Sequence, residues 1–539
     1  MKRNAALSAM LLIFVAMMIA LLVLTEEKKV KNQLDTIKKD DETVMVERSL
    51  KLISSTENQD LEFLIEKFEK ANDIEIDVEY AGTLEIMDKL NNKEYYDAVW
   101  TSNSMWLYML DDSVKVTDSK STSINPVIFA VKESKARELN LIDRDIYTSE
   151  IISAIQSGQL KFSMSNPTQT NSGATAYLGL ISSIAGNPEV LKFEHMEDDN
   201  IKIQLTDLFN GLVRSSGSEE YLETMFLNGE YDAVVTYEST IINMNQKLST
   251  QGQEILYALY PIDGVSISDS PLAYIDNGED GKRELFLEFQ KYVLSNEGQT
   301  ALEKEGRRTW YGGVNPSADY EVFDRNWGIN TSKYIVPIKM PSTEIIQKAL
   351  EDYQVKFRRQ VFTIFALDYS GSMSGKGYTQ LCNAMEYILG EEAEEDLLQF
   401  TDKDKITVIP FSTNVIDVWN TTNGDNTTEL CNNILSLRPS GSTNIYDTGI
   451  KALEQIRQED FENYNVSVII MTDGLSNMGS YDDFKLRYEQ EGMAVPFYSI
   501  MFGSAFEEEL QDIAELTNAK VFDGKTDLLK AFKEVRGYN

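Results

Sequence analysis

Histidine is almost missing from this chain: one residue, His195, in 539. It lies in FEHMEDDN, an acidic stretch expected at the surface, so chemistry that needs several imidazoles is excluded. Cysteine is nearly as scarce. Cys382 and Cys431 are the two present, and neither belongs to a C-x-x-C pair, which argues against a cysteine zinc site. We expect two free buried thiols rather than a single disulfide. Positive charge is short as well: 50 Lys and Arg stand against 87 Asp and Glu, for a formal net charge of −37. Such a surface repels nucleic acid phosphates and anionic lipid head groups, and suits solubility or cation binding. A chain of this length exceeds one hydrophobic core, so two or three domains are expected.

One long apolar run is present. Lys2 and Arg3 precede AALSAMLLIFVAMMIALLVL, residues 5–24, enough helix to cross about 30 Å of hydrocarbon. A signal peptide has a shorter apolar core and a small-residue cleavage site. This run ends in LLVLTEEKK with no A-x-A pattern and no cysteine for lipoprotein processing, so an uncleaved anchor is expected over residues 1–25. Lys28, Lys29 and Lys31 follow it, so flanking charge does not fix its orientation. Residues 26–46 read as a charged linker.

Residues 47–340 alternate strand and helix signals. SLKLISS reads as a strand, and DLEFLIEKFEKAN as an amphipathic helix with Leu61, Phe63, Leu64 and Phe68 at roughly helical spacing. IEIDVEYAG, LEIMDKLNNK and YDAVWTS complete a βαβαβ pattern, which implies a parallel sheet covered by helices. The pattern restarts at LKFSMSNPTQTNSGATAYLGLISSIAG and EYDAVVTYESTI, so two α/β lobes are expected. This order resembles the type II bacterial solute-binding proteins, above all those that bind tetrahedral oxyanions such as molybdate. The resemblance rests on LISSTENQDL, FSMSNPTQTNSGATAYL, YDAVVTYES and FQKYVLSNEGQTALEKEG. It implies a two-lobed, periplasmic-binding-protein-like fold with a solute cleft. Helix N-termini there offer unpaired N–H groups to an anion, and Ser55, Thr56, Asn171, Ser172 and Tyr237 are the candidate lining. The same Ser, Thr and Asn also serve as ordinary helix caps. Glu57 and Glu238 beside these loops would repel an oxyanion, which leaves open a different solute or none.

Residues 356–539 carry strand signals at Val361–Leu367, Ile406–Phe411, Val466–Thr472 and Pro496–Phe502, with helices between. A doubly wound α/β sheet follows, and such sheets place their sites at the carboxyl ends of strands. The first strand ends in DYSGSMS. Residues two apart in extended chain point to one side, so Asp368, Ser370 and Ser372 present hard oxygens together. Thr443, opening a helix, adds a hydroxyl, and Asp473 in VIIMTDG adds a carboxylate. Hard oxygen donors suit Mg²⁺, with Mn²⁺ acceptable and Ca²⁺ less so. GSMSGKG is not a phosphate loop: its spacing is one residue short and Gly follows Lys376.

D-x-S-x-S after the first strand, Thr443 in a later loop and the T-D-G turn resemble the von Willebrand factor type A domain with its metal-ion-dependent adhesion site. That resemblance implies a Rossmann-like fold over 356–539. It also implies direct metal coordination by Ser370, Ser372 and Thr443, water-mediated roles for Asp368 and Asp473, and an open position for a partner's carboxylate. The chain is thus expected to be a single-pass, membrane-anchored, extracytoplasmic binding protein of a bacterium rather than an enzyme. Its expected partners are a protein at the metal site and a small solute or oxyanion in the first module. The alternative is the solute receptor of an ABC-type transport system, with the C-terminal domain as its docking module.

Overall fold

A computed structural model describes residues 48–539 apart from residues 279–280, 319–320, 334, 395, 422, 425, 460, 504–506 and 539. The apolar run 5–24 and the linker 26–46 lie outside the described residues. Among the described residues no helix is long and apolar enough to cross a membrane.

The first lobe is built on a five-stranded sheet in the order Glu75–Ala81, Ser49–Ser55, Ala98–Trp100, Pro271–Ile275, Val116–Ser121. Its first three strands run parallel. Leu50 and Leu52 face a core that contains Leu61, Leu64, Ile65 and Phe68, whereas Ile53 points to the opposite face and packs with Ile86 and Leu90. The helix Glu62–Asn72 differs from its sequence reading at one position. Phe63 is exposed, and Ile65 takes a buried place. Positions 61, 64, 65 and 68 form the i, i+3, i+4, i+7 stripe, and residue 63 falls on its far side.

The second lobe is a seven-stranded sheet whose main path runs Ser266–Ser268, Ser123–Lys132, Ala233–Tyr237, Phe162–Ser165, Leu212–Ser216. The chain crosses between the lobes at Thr122, again at Asp269–Ser270, and a third time between the first-lobe helix Asn296–Lys304 and the strand Arg308–Thr309, which pairs with Ser123–Lys132. The first two crossings are tied together, since Thr122 N and Oγ1 both donate to Ser270 O, at 3.1 and 2.6 Å. Ser270 has φ +42°, a left-handed conformation that costs a residue with a β-carbon about 1 kcal/mol or more. Two adjacent crossings of this kind make a hinge.

A helix at Thr343–Asp352 continues into a π turn at Tyr353–Phe357. Its apolar stripe, Ile345, Ile346, Ala349, Leu350, Tyr353 and Phe357, belongs to the second-lobe core. Tyr353 lies 5.1 Å from the Phe209 ring and 5.4 Å from that of Tyr177. The segment between the modules is therefore packed onto the second lobe.

The C-terminal domain has a six-stranded sheet in the order Trp419–Thr421, Lys405–Phe411, Val361–Asp368, Asn465–Thr472, Phe497–Met501, Val521–Asp523. All neighbours are parallel except the first pair. Val361–Asp368 is buried along its whole length, as a central strand covered on both faces must be. Val361, Phe365 and Leu367 pack against the helices Lys376–Leu389, Thr428–Ser436 and Leu528–Arg536. Phe362, Ile364 and Ala366 pack against Ile445–Arg457, Tyr481–Glu491 and Glu507–Leu516.

Candidate metal centre and solute cleft

Taken in chain order, the six C-terminal strands lie 3-2-1-4-5-6 across the sheet. The order reverses between Val361–Asp368 and Asn465–Thr472, and the loops after these two strands diverge to opposite faces, leaving a crevice at their carboxyl ends. Asp368 closes the first strand, and Asp473 follows the second. Ser370 N donates to Asp368 Oδ1 at 2.7 Å, and Thr472 Oγ1 donates to Asp368 Oδ2 at 2.7 Å. Ser370 Oγ and Ser372 Oγ are 3.0 Å apart, and Ser372 Oγ donates to Asp473 Oδ1 at 2.7 Å.

Thr443 arrives on a loop stapled to both neighbours. Gly371 N donates to Gly441 O at 3.0 Å, and Ser440 N donates to Tyr369 O at 2.7 Å. Thr443 N donates to Asn477 Oδ1 at 3.0 Å. A β-carbon on Gly474 would stand 3.5 Å from Ser372 Oγ and 3.8 Å from Thr443 Oγ1, so both hydroxyls converge on the T-D-G turn. The five residues named from the sequence thus surround one small volume. Burial raises the Asp368 carboxyl above its ordinary range, against hydrogen bonds from Thr472 and Ser370. Burial raises that of Asp473 too, against the bond from Ser372. Two buried carboxylates with no basic partner at the site among the described residues favour a cation. Among the described residues no group of three or more His, Cys, Asp or Glu is placed to hold a metal. An ion held here would therefore depend on the three hydroxyls, which fits hard oxygen chemistry. Thr472, which fixes Asp368, escaped the sequence reading, although it adjoins Asp473 in the motif.

Between the lobes lies a cavity of about 750 Å³. Thr56 and Tyr237 line it. Ser55, Asn171 and Ser172 sit beneath its surface with their polar atoms engaged. Ser102 Oγ donates to Ser55 Oγ at 2.9 Å. Asn171 accepts from Trp106 Nε1 at 2.8 Å and donates to Tyr237 OH and Ser268 Oγ. Ser172 Oγ donates to Glu219. Glu238 is turned away from the cavity and buried, with Arg308 Nε and Nη2 each donating to it at 2.8 Å. Its place at the cleft is taken by Glu219, which sequence reading missed because SGSEEY looks like plain helix capping.

Glu219 Oε2 accepts from Thr236 Oγ1 at 2.7 Å. Burial, with help from nearby Glu57, pushes its carboxyl up to about 7 against the hydrogen bonds from Ser165 and Thr236. Neither the Glu57 nor the Glu219 carboxylate forms an ion pair with a Lys or Arg among the described residues, although Arg307, which donates to the Glu57 backbone carbonyl, lines the same cavity. Further polar atoms stand out. Glu57 Oε2, Ser123 Oγ and Ser270 Oγ are buried without a hydrogen-bond partner among the described residues, as are the donors Tyr80 OH, Gln169 Nε2 and Arg307 Nε, and all six residues line this cavity. Buried polar atoms are rarely left unpaired, so their gathering in one cavity marks a place built for a polar ligand. The two cysteines are free; Cys382 is buried and Cys431 half-buried. His195 accepts from Lys192 N at 3.0 Å and caps the start of its own short helix.

Residues 51–308 match the family model described as bacterial extracellular solute-binding protein, and residues 364–534 match that of the von Willebrand factor type A domain. No curated protein matches the chain. Among solved structures, the ferric binding protein from Campylobacter jejuni is 14% identical, with 56% of this chain and 95% of that one covered at a TM-score of 0.40. The periplasmic binding protein AfuA from Actinobacillus pleuropneumoniae is 14% identical over 57% and 98%, at 0.40. A von Willebrand factor type A protein from Catenulispora acidiphila is 14% identical over 34% and 43%, at 0.29.

Proposed function

Starting from a chain that carries a bacterial extracellular solute-binding domain and a von Willebrand factor type A domain, we propose a non-catalytic, membrane-anchored, extracytoplasmic binding protein that engages a partner protein's carboxylate through a metal ion. The observation that carries this reading is the gathering of three hydroxyls and two carboxylates where the C-terminal sheet reverses its strand order. Ser370, Ser372 and Thr443 would hold the ion directly. Asp368, whose oxygens already accept from Ser370 N and Thr472 Oγ1, would orient the loop and act at one remove, and Asp473 would supply charge. Bound Mg²⁺ or Mn²⁺ supplies a Lewis-acidic position for a carboxylate oxygen. With one histidine, engaged in a helix cap, the chain offers no imidazole base beside these serines.

The test is capture of surface proteins by the soluble chain from residue 48, with Mg²⁺ or with chelator. The wild type is expected to capture a partner only with metal, and Ser370→Ala, Ser372→Ala and Asp473→Ala to lose it. Capture that ignores chelator sinks the reading.

The unpaired cleft atoms favour a second role, that of a solute receptor for an ABC-type permease. The Glu57 and Glu219 carboxylates, without an ion-paired Lys or Arg among the described residues, suit a polar solute that bears an amino group, and the unpartnered Nε of Arg307 in the same cavity suits an acceptor on that solute. Binding at a hundredfold excess over Kd raises stability by about 2.7 kcal/mol. In a thermal-shift screen, diamines and basic amino acids are expected to raise Tm, and molybdate and sulfate to leave it unchanged. A shift with oxyanions alone would reverse this assignment.

A further inference from the structure

The inter-lobe cavity has a third wall. Leu529, Lys530, Lys533 and Tyr538, from the last helix of the C-terminal domain and the turn after it, line the same space as Glu57 and Tyr237. We propose that the C-terminal domain is the lid of the solute cleft, and that the Lys530–Glu85 contact is the latch that opens to admit solute. This rests on reading the cleft as a solute site.

The lid is fixed firmly to the second lobe. Arg214 donates to Tyr498 OH at 2.5 Å and to Asn518 O at 2.7 Å. Tyr221 OH donates to the same carbonyl at 2.8 Å. Tyr538 OH donates to Ser218 Oγ at 2.9 Å, and its ring lies 5.2 Å from that of Tyr221. The backbones meet where side chains are absent: a β-carbon on Gly537 would stand 3.1 Å from Gly217 Cα. These groups are mostly buried, and they join one aromatic core across the two domains.

The contact with the first lobe is of another kind. Lys530 Nζ meets Glu85 Oε1 at 2.8 Å, with the two side chains 51% and 32% exposed. Nearby, Asp88 of the first lobe has its carboxyl raised by burial and then by Asp396 of the lid, with Lys533 opposing. Like charges thus face each other beside the attractive Lys530–Glu85 pair. An exposed ion pair is weak, whereas a buried, hydrogen-bonded cation is not. The hinge at Thr122 and Asp269–Ser270 separates the two lobes, so the lid travels with the second. Any swing of the first lobe must part Lys530 from Glu85, and the latch therefore sets how often the cleft stands open.

The test reads access to the cleft without any solute. Thr240, a half-buried cleft residue, is replaced in a chain whose own thiols are removed (Thr240→Cys, Cys382→Ser, Cys431→Ser). Its reaction with a polyethylene-glycol maleimide is then timed. Lys530→Glu and Glu85→Lys, each alone, are expected to speed labelling about threefold or more, in keeping with loss of one exposed ion pair. The two together restore the pair with its sign exchanged and return the rate to that of the parent. Gly217→Leu, which forces the lid off the second lobe, is expected to speed labelling further. Melting curves confirm that each variant is folded, and Glu85→Gln serves if a charge reversal is not. Equal rates in the parent, both single variants and the double variant overturn the proposal, as does a double variant that labels as fast as the singles. Because no solute is present, failure of the amine assignment leaves this outcome untouched.

Discussion

Glu219 shows what a buried carboxyl does to stability. Its ordinary value is 4.5, and in the folded chain burial and Glu57 lift it to about 7. A carboxyl raised in this way holds its proton longer folded than unfolded. The folded chain is favoured fully below about pH 4.5, and that advantage fades as pH rises to about 7. Glu219→Gln, a permanent mimic of the protonated acid, is expected to remove the slope, which approaches about 1 kcal/mol per pH unit. Urea denaturation at intervals from pH 4.5 to 8 measures it, and parallel curves for the two chains would refute the assignment. Legibility differed from residue to residue. That the five residues of the candidate metal centre lie together was legible because a strand end, a spacing of two and a T-D-G turn each constrain direction. Asn171 and Ser172 carry the sequence pattern of cleft lining and lie beneath it. Their neighbour Gly173 explains the sequence: a β-carbon there would stand 2.5 Å from Ser165 O, so the small residues of NSG serve the close packing of helix on strand. Local sequence does not say which of these two uses a glycine has.

Among the elements, the strands were easier to read than what they pack against. Four of the C-terminal strands were legible as apolar runs bounded by polar loops. The helix Thr343–Asp352 lies in residues 341–355, between the two modules that the sequence delimits. Periodicity reveals an apolar stripe, but not the core that receives it. The pair Arg308–Glu238 joins the short strand Arg308–Thr309 to the start of the helix Glu238–Thr250, with side chains 1% and 0% exposed. Removing one partner strands the other charge in the interior. Arg308→Ala is expected to cost about 3–5 kcal/mol, and Arg308→Met with Glu238→Leu to cost clearly less. Urea midpoints for the two variants decide it; equal losses would show that packing rather than charge governs the site.

At the scale of the whole molecule, the lobes and the C-terminal domain are not beads on a string. The Thr343–Asp352 helix and the turn after it bury Ile345, Ile346, Leu350, Tyr353 and Phe357 in the second lobe. At about 1.5–3 kcal/mol for each large apolar side chain, this is on the order of 10 kcal/mol gross, before the several kcal/mol lost on association. The consequence is that the covalent link before this helix is dispensable. Residues 48–341 and 342–539, produced together as separate chains, are expected to find one another and elute as a single complex, held by the borrowed helix and by Arg214. Independent elution of the two fragments would refute this. A chain that co-elutes in this way is a split pair, in which breaking a single peptide bond leaves the assembly standing.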